Sequence, residues 1–383
     1  MKKLLIVVPR LIGHGQERIA VKTAELLKGD YEIALVVFDG RDVDYSSPVP
    51  LIDLNLPASS GLAGKVKNVL LRARALRKIK GQRQIDFTLS FGRTANLVNV
   101  LSGRRGKILS NIRGFADIDS GKLLSMICRR SDAVICCAQA MREALLACHP
   151  KLSEKTVCLY NPLDTAQIRQ LGSVPVTDYS FSPHTVVSQG RLEEVKNYPR
   201  LIKAFSLVRQ ELPDAQLLIL GEGSERTRLE ALICALGLQE SVSMPGFQEN
   251  PFAYLAKSSL YVLSSYSEGF PNALVEGMTF LPAVAVDCRT GPREIFSDGP
   301  CSRTCTGVEE ADYGLLVPPA ADRLWHDEIT ADDRILAEAM LRVLKDPALS
   351  QRLKIAAQAR AEEFSCERYR AKLIELLEKG VSR

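Results

Sequence analysis

The sequence predicts an α/β protein of two domains, each with a parallel sheet covered on both faces, and three observations carry that expectation. The chain has 383 residues, above the roughly 250–300 at which a single hydrophobic core stops growing. Its apolar runs are short and continuous, as strands buried on both faces require, and helical stretches separate them. This rhythm breaks once, near Asn161-Pro162-Leu163-Asp164, and then starts again.

In the first series Leu4–Val8 reads as a buried strand, Glu17–Lys28 as an amphipathic helix and Tyr31–Phe38 as a second strand. Strands follow at Ile85–Phe91, Gly106–Ile112, Asp132–Cys137 and Thr156–Tyr160. Residues 166–183 carry Pro, Gly and Ser and read as the interdomain connection, with at most a small helix at Ala166–Leu171. The second series has strands at Thr185–Gln189, Ala215–Gly221, Ser241–Met244, Leu260–Ser264 and Pro282–Asp287. Its helices fall near Asn197–Leu212, Arg226–Leu236, Pro251–Ala256 and Asn272–Phe280, and Arg334 to Gly380 is helical throughout. The expected domains are therefore 1–165 and 184–365, with 366–383 a last helix returning to the first domain.

Composition narrows the classes. Hydrophobic content of 46% and charged content of 25% suit a globular protein and exclude disorder. Lys2 and Lys3 precede Leu4–Val8, but that run is too short for a secretory signal and ends at Pro9-Arg10. No stretch approaches the ~20 apolar residues of a membrane span. A cytoplasmic protein, peripheral at the inner face of the cell membrane, is expected. Of ten cysteines, Cys136, Cys137 and Cys158 lie in strand-like runs. Cys301 and Cys305 lack a second pair or a nearby His to complete a zinc site. Reduced thiols are the expectation.

A nucleoside diphosphate needs cations or oriented N–H groups at its phosphates and acceptors at its ribose hydroxyls; helix N-termini reached through Gly-rich turns supply the first. Three such turns occur: Gly13-His14-Gly15, Gly221-Glu222-Gly223 and Glu268-Gly269-Phe270-Pro271-Asn272. In the first two, Arg18 and Arg226 replace the third Gly of a Gly-x-Gly-x-x-Gly fingerprint, and a plain strand-to-helix turn explains either equally well. In the third, Pro271-Asn272 suits a helix start with Asn272 as cap. Glu276 then lies one turn in and Glu268 on the preceding loop. One carboxylate can face a sugar, the helix N-terminus a diphosphate, and the other carboxylate a ribose. A lone Glu in a first helical turn is ordinary; the run around it is not.

Ser265-Tyr266-Ser267-Glu268-Gly269-Phe270-Pro271-Asn272-Ala273-Leu274-Val275-Glu276 resembles the E-x7-E motif of the family-four retaining glycosyltransferases, enzymes of the GT-B fold acting in bacterial lipopolysaccharide and capsule synthesis. Gly190-Arg191-Leu192 with Lys196-Asn197 is similar to their Gly-Arg-Leu…Lys-Asn motif. Leu220 to Gly223, Pro245-Gly246-Phe247 and Asp287 to Glu294 fall in family order, and Pro9 to Arg18 is similar to the family's opening Gly-rich loop. The resemblance implies two Rossmann-like domains facing a central cleft.

It also implies roles. Arg191 and Lys196 would grip the diphosphate and stabilise the departing charge without a metal. Glu276 would accept from the ribose hydroxyls, and Glu268, with the backbone of Gly269 and Phe270, would read the donor sugar. The amides of Leu274 and Val275 would meet a phosphate, Gly190 would line the donor site, Gly246-Phe247 would lie near the base, and Gly15 would let the first domain approach the donor. The first loop departs from the family pattern at His14, Ala138 replaces a Ser, and the turn after Glu276 is one residue short. No Asp or Glu stands out as a nucleophile, so same-face transfer with retention is expected, with no cofactor beyond a nucleotide-sugar substrate, UDP-linked by family habit. Asp117-Ile118-Asp119 is the wrong place for a donor-site metal motif.

The acceptor would be a lipid-linked or lipopolysaccharide glycan held by the first domain. Arg113, after a strand, is a candidate for a phosphate or sugar contact, with a structural salt bridge equally open; His14 is a candidate of the same kind. A stretch at Lys65–Lys80 carries Lys65, Lys67, Arg72, Arg74, Arg77, Lys78 and Lys80 among Val66, Val69, Leu70 and Ala73, with no acidic residue. Such a helix suits an anionic membrane surface or a phosphorylated acceptor. Nucleic acid is not expected, since the net charge is only +5 and no aromatic platform accompanies the patch. Two rival enzymes remain. An NAD-dependent oxidoreductase would use Gly13-x-Gly15 with Asp39 but leaves Arg191, Lys196, Glu268 and Glu276 unexplained. A nucleotide-sugar epimerase would need acid–base groups, and the chain has four His.

Overall fold

The computed structural model describes residues 1–12, 15–41, 46–118, 121–298, 303–323 and 328–381. The chain forms two compact units, Met1–Pro162 with Cys366–Arg383, and Leu163–Ser365.

The first unit holds β1 (Lys3–Val8), β2 (Glu32–Val37), β3 (Leu51–Asp53), β4 (Phe87–Phe91), β5 (Lys107–Ile112), β6 (Ala133–Cys136) and β7 (Thr156–Cys158). They pair in the order β3-β2-β1-β4-β5-β6-β7, parallel throughout. β1 is the hinge of this order, with Ile6 opposite Leu35 of β2 on one side and Leu89 of β4 on the other. Its pleat sends Leu4, Ile6 and Val8 into a core shared with Ile19, Ala20, Ala24 and Leu27 of the Gly15–Leu27 helix. Leu5 and Val7 enter a second core with Ala73, Leu76, Ala95 and Val98. A strand buried on both faces therefore needs its unbroken apolar run.

The Cys366–Lys379 helix belongs to this unit. Tyr369, Leu373, Leu376 and Leu377 complete the first of the two cores. Its polar edge is fastened by Tyr369 to Thr23 at 2.9 Å, by Arg370 to Asp30 at 2.5 Å and by Tyr31 donating to Glu378 at 2.9 Å.

The second unit repeats the plan with β8 (Thr185–Gln189), β9 (Gln216–Leu220), β10 (Val242–Gly246), β11 (Leu260–Leu263), β12 (Ala283–Val286), β13 (Glu309–Ala311) and β14 (Gly314–Val317). Their order is β10-β9-β8-β11-β12-β14-β13, and β13 alone runs antiparallel, against β14. Both sheets have the doubly wound, Rossmann-like order that reverses beside its first strand, where such sheets bind ligands at the carboxyl ends of their strands. In the second unit that point lies between β8 and β11.

Residues 166–183 do not bridge two bodies. Thr165–Gly172 is a helix of the second unit, capped by Asp164 accepting from the Gln167 amide at 3.1 Å. Asn250 donates to Leu171 at 2.9 Å, and Tyr254 donates to Asp178 at 2.8 Å, binding the rest of the segment down. The chain passes between units at Pro162/Leu163 instead. The helical tail is three helices, Ala331–Lys345, Pro347–Glu362 and Cys366–Lys379, the second started by Asp346 capping Ala348 and Leu349 ahead of Pro347.

Candidate functional site

The site in the second unit begins where β8 stops. Gly190 and Gly221 follow the paired strands β8 and β9, and their backbones meet so closely that a Cβ on Gly221 would lie 1.9 Å from the Gly190 carbonyl oxygen. The Gly221-Glu222-Gly223 turn thus packs on Gly190-Arg191-Leu192, with the Leu192 amide donating to the Glu222 carbonyl at 2.8 Å. A phosphate-cradling role is not needed to explain these glycines.

Arg191 projects exposed from this loop, and no partner holds its guanidinium among the described residues. Five residues on, Lys196 turns inward and its Nζ lies 2.7 Å from Glu268 Oε1. The same carboxylate oxygen accepts from Ser265 at 2.6 Å, and the Glu268 carbonyl accepts from Thr290. Two further bonds tie the loops: Ser264 donates to the Lys196 carbonyl at 2.8 Å, and the Tyr266 amide to Val195 at 2.9 Å. The ends of β8, β11 and β12 are therefore knitted around one carboxylate and one ammonium.

The Asn272–Met278 helix follows. Glu276 is buried on it, and its Oε2 accepts from Gln189 Nε2 at 2.5 Å. Two expectations change here. Pro271, not Asn272, precedes the first helical residue, and no side chain caps the end, so Asn272 sits inside the first turn. The amides of Leu274 and Val275 both donate to the Pro271 carbonyl, at 3.0 and 3.4 Å, which occupies the groups expected to meet a phosphate. Phe270 is buried and packs its ring on Phe364, centroids 5.3 Å apart. Gly246 ends β10 with a left-handed φ of 90°, and Phe247 beyond it is 74% exposed, an apolar ring with nothing on it. The shortened turn after Glu276 closes normally, with Thr279, Phe280 and Leu281 amides bonded back to Glu276 and Gly277.

In the first unit, Gly15 starts a helix at the end of the switch strand, while Gly13 and His14 lie outside the described residues, as do Asp119 and Cys301. Arg113 is half-buried: its Nη1 donates to Asn161 at 2.7 Å and its amide to Asp117 at 3.2 Å. Its guanidinium is held by a neutral amide, so the salt-bridge alternative drops away. Asp39 is gripped by Arg41 and Arg10, each at 2.8 Å, and the Arg41 hydrogen bond holds its carboxyl down at about 2. It has no free edge for a dinucleotide ribose.

The basic helix, Leu62–Arg83, divides into two kinds of cation. Lys65, Lys67, Arg74, Arg77 and Lys78 are exposed, along with Leu62, Val66 and Leu70, which stand at helical spacing. Arg72 is not part of that surface. It is buried, donates twice to the Leu56 carbonyl at 2.6 and 3.0 Å and lies 4.7 Å over the Phe38 ring. Lys80 is also buried, bonded to Asn99 Oδ1 at 2.8 Å, and burial pulls its pKa down to about 7.

Residues 182–360, most of the second unit, match the family described as glycosyl transferases group 1. The chain is 25% identical over 381 residues to a Campylobacter jejuni N-acetylgalactosamine-N,N'-diacetylbacillosaminyl-diphospho-undecaprenol 4-alpha-N-acetylgalactosaminyltransferase, covering 95% of this chain and 96% of that one. It is 30% identical over 257 residues to a glycosyltransferase of Methanocaldococcus jannaschii, spanning only 61% of that relative's length. The fold matches that of Anabaena HepE solved with UDP, at a TM-score of 0.73 and 18% identity over 99% of this chain and all of that one. The fold is that of the GT-B glycosyltransferases, and the family match falls within the second unit.

The chain has no helix among the described residues long and apolar enough to cross a membrane. Its described cysteines form no disulfide with one another, and burial pushes the Cys128 thiol up to about 11. Three residues around Glu268 and Glu276 escaped sequence reasoning. Gln189 and Ser265 are ordinary strand-end residues whose importance depends on contacts 87 and 3 residues away. Thr290 lies in a stretch already matched to the family, yet nothing local marks its hydroxyl as the tether of Glu268.

Proposed function

We propose that this chain is a glycosyltransferase that moves a hexose or N-acetylhexosamine from a UDP-sugar to a hydroxyl of a glycan acceptor in lipopolysaccharide, capsule or lipid-linked oligosaccharide synthesis, with retention of anomeric configuration. The observation that carries the reading is the Lys196–Glu268 pair at 2.7 Å, standing beside the unpartnered Arg191 at the carboxyl ends of β8 and β11. Two cations there suit a leaving diphosphate, and stabilising the charge that develops on it requires no metal. Glu268, held by Ser265, Thr290 and Lys196, presents a fixed carboxylate to sugar hydroxyls. Glu276 accepts from the ribose, and the exposed Phe247 ring is the face for a base.

In the same-face step the bond from the anomeric carbon to phosphate breaks while the bond to the acceptor oxygen forms. The acceptor proton passes to the departing phosphate oxygen, and Arg191 and Lys196 take up the charge. UDP is favoured because HepE was solved with it. A lipid-linked acceptor is favoured by the name of the Campylobacter relative, which acts on a diphospho-undecaprenol. We assign the exposed Lys65, Lys67 and Arg74, beside Leu62, Val66 and Leu70, to an anionic membrane surface on the cytoplasmic side, with Arg113 and His14 reserved for the acceptor.

The test is a panel of UDP- and GDP-sugars with lipid-diphosphate acceptors, run with a chelator, the product's anomeric configuration read by NMR. An α-linked product from an α-linked donor in chelator is expected. An inverted product, or a rearranged free nucleotide-sugar without transfer, overturns the reading.

A further inference from the structure

Glu276 does not set its own direction. The Asn272–Met278 helix that carries it is short and packs so tightly on β11 that a Cβ on Gly277 would lie 2.5 Å from the Tyr261 ring. The helix position is thus fixed by Gly277, but a Glu side chain keeps three rotatable bonds. Gln189 removes that freedom. It is the last residue of the central strand β8, paired with Leu220 of β9, and it is buried, as is Glu276. Its amide nitrogen lies 2.5 Å from Glu276 Oε2. An amide has two edges, and only the NH2 edge can donate to a carboxylate, so the contact also fixes which way Gln189 points.

That orientation has a cost. With Nε2 on Glu276, the Gln189 carbonyl oxygen Oε1 is buried with no hydrogen-bond partner. A buried acceptor left unsatisfied destabilises a fold, whereas an apolar residue of the same shape would not. Stability alone therefore argues against the Gln189–Glu276 pair as a whole, since an apolar residue beside Glu276 would deprive the carboxylate of the Gln189 donor. A charge-assisted bond to the carboxylate is the compensation the geometry shows.

We propose that Gln189 is the positioning residue for Glu276, locking the carboxylate into the one orientation that meets the ribose hydroxyls of the nucleotide. The inference rests on the reading of Glu276 given above. Gln189 itself touches no substrate; it acts through Glu276 and contributes to recognition of the ribose alone.

The experiment measures binding of UDP and of 2′,3′-dideoxy-UDP, by titration calorimetry, to the full chain and to Gln189→Met, Glu276→Gln and the double variant. Gln189→Met is expected to weaken UDP about ten-fold, as loss of a hydrogen bond to a charged group does. Binding of the dideoxy analogue is expected to stay unchanged, which also reports an intact fold. The double variant should bind UDP no more weakly than Glu276→Gln alone, since the two residues act as one unit. The thermal midpoint of Gln189→Met should fall, because the buried Glu276 carboxylate loses the Gln189 donor, so retained binding of the dideoxy analogue is the report on the fold. Unchanged UDP binding in Gln189→Met, or equal weakening of both nucleotides, overturns the inference while Glu276 keeps its own role. If the native chain binds both nucleotides equally, the ribose reading of Glu276 fails and this inference with it.

Discussion

Lys196 Nζ and Glu268 Oε1 lie 2.7 Å apart across 72 residues of sequence, joining the loop after β8 to the loop after β11. The pair is largely shielded from water, with 20% and 11% of the two side chains exposed. Salt therefore screens it less than a surface pair. Under the proposed function, a single ammonium so placed would serve both a sugar-reading carboxylate and a diphosphate.

Replacing Lys196 with Met is expected to lower kcat/KM for the donor by about a hundred-fold or more, roughly 2.7 kcal/mol of transition-state stabilisation. Part of that loss would come from Glu268, left without its cation. Steady-state kinetics of Lys196→Met, Glu268→Gln and the double variant should show strong non-additivity. Additive losses would mean that the two groups work separately.

At the meeting of Gly190 and Gly221, backbone lies where a side chain would begin. Gly221→Ala should cost about 1–3 kcal/mol of stability by overpacking, read as a lowered thermal midpoint. The donor KM should rise with it, because the displaced strand end carries Arg191. A variant with native midpoint and native KM would show that the two backbones are not in contact.

The split of cations on the Leu62–Arg83 helix separates membrane affinity from folding. Replacing Lys65, Lys67 and Arg74 with Gln should weaken binding to anionic vesicles by about a hundred-fold at low salt, near 1 kcal/mol per cation, and leave the thermal midpoint unchanged. Arg72→Ala should do the reverse, costing about 1–3 kcal/mol through its lost Leu56 bonds and its stacking on Phe38 while vesicle binding persists. Vesicle cosedimentation beside thermal unfolding decides between them.

Lys80 predicts a pH dependence of opposite sign to that of a paired lysine. Its pKa falls to about 7 in the folded protein, from the ordinary lysine value of 10.5, because burial disfavours the ammonium. Between those two values the unfolded chain binds more protons, so this group's contribution makes the protein more stable as pH rises, by at most about 1.4 kcal/mol per pH unit. Chemical unfolding at pH 7, 8 and 9 should show the slope, and Lys80→Met should flatten it. Parallel slopes for the two proteins would place the titration elsewhere.

Legibility from sequence followed the range of the forces involved. β1 declares itself because five consecutive apolar residues can be buried on both faces only in a central strand. β3 and β14 are three and four residues long at or near a sheet edge, and so short a run carries no period. Residues 166–183 were misread because Pro, Gly and Ser mark irregular backbone whether it is packed or bridging; only the bonds from Asn250 and Tyr254 distinguish the two. Glu268 and Glu276 stand out in the sequence only through the family-like run around them. Their partners Gln189 and Thr290 do not, since each is made important by a tertiary contact, and nothing in the sequence tells the local Ser265 bond from that of any other serine. Arg72 and Lys80 look like their exposed neighbours in sequence, and only the turn of the helix sends them inward.

The Cys366–Lys379 helix has a consequence for the order in which the protein comes into being on the ribosome. The first unit's core needs Tyr369, Leu373, Leu376 and Leu377, which leave the exit tunnel after the whole of the second unit. The second unit is contiguous from Leu163 to Ser365 and lacks nothing by then. The half made first is therefore the half finished last. Until the Cys366–Lys379 helix emerges, the nascent chain carries an open apolar seam along Ile19, Ala20 and Tyr31 for chaperones to guard.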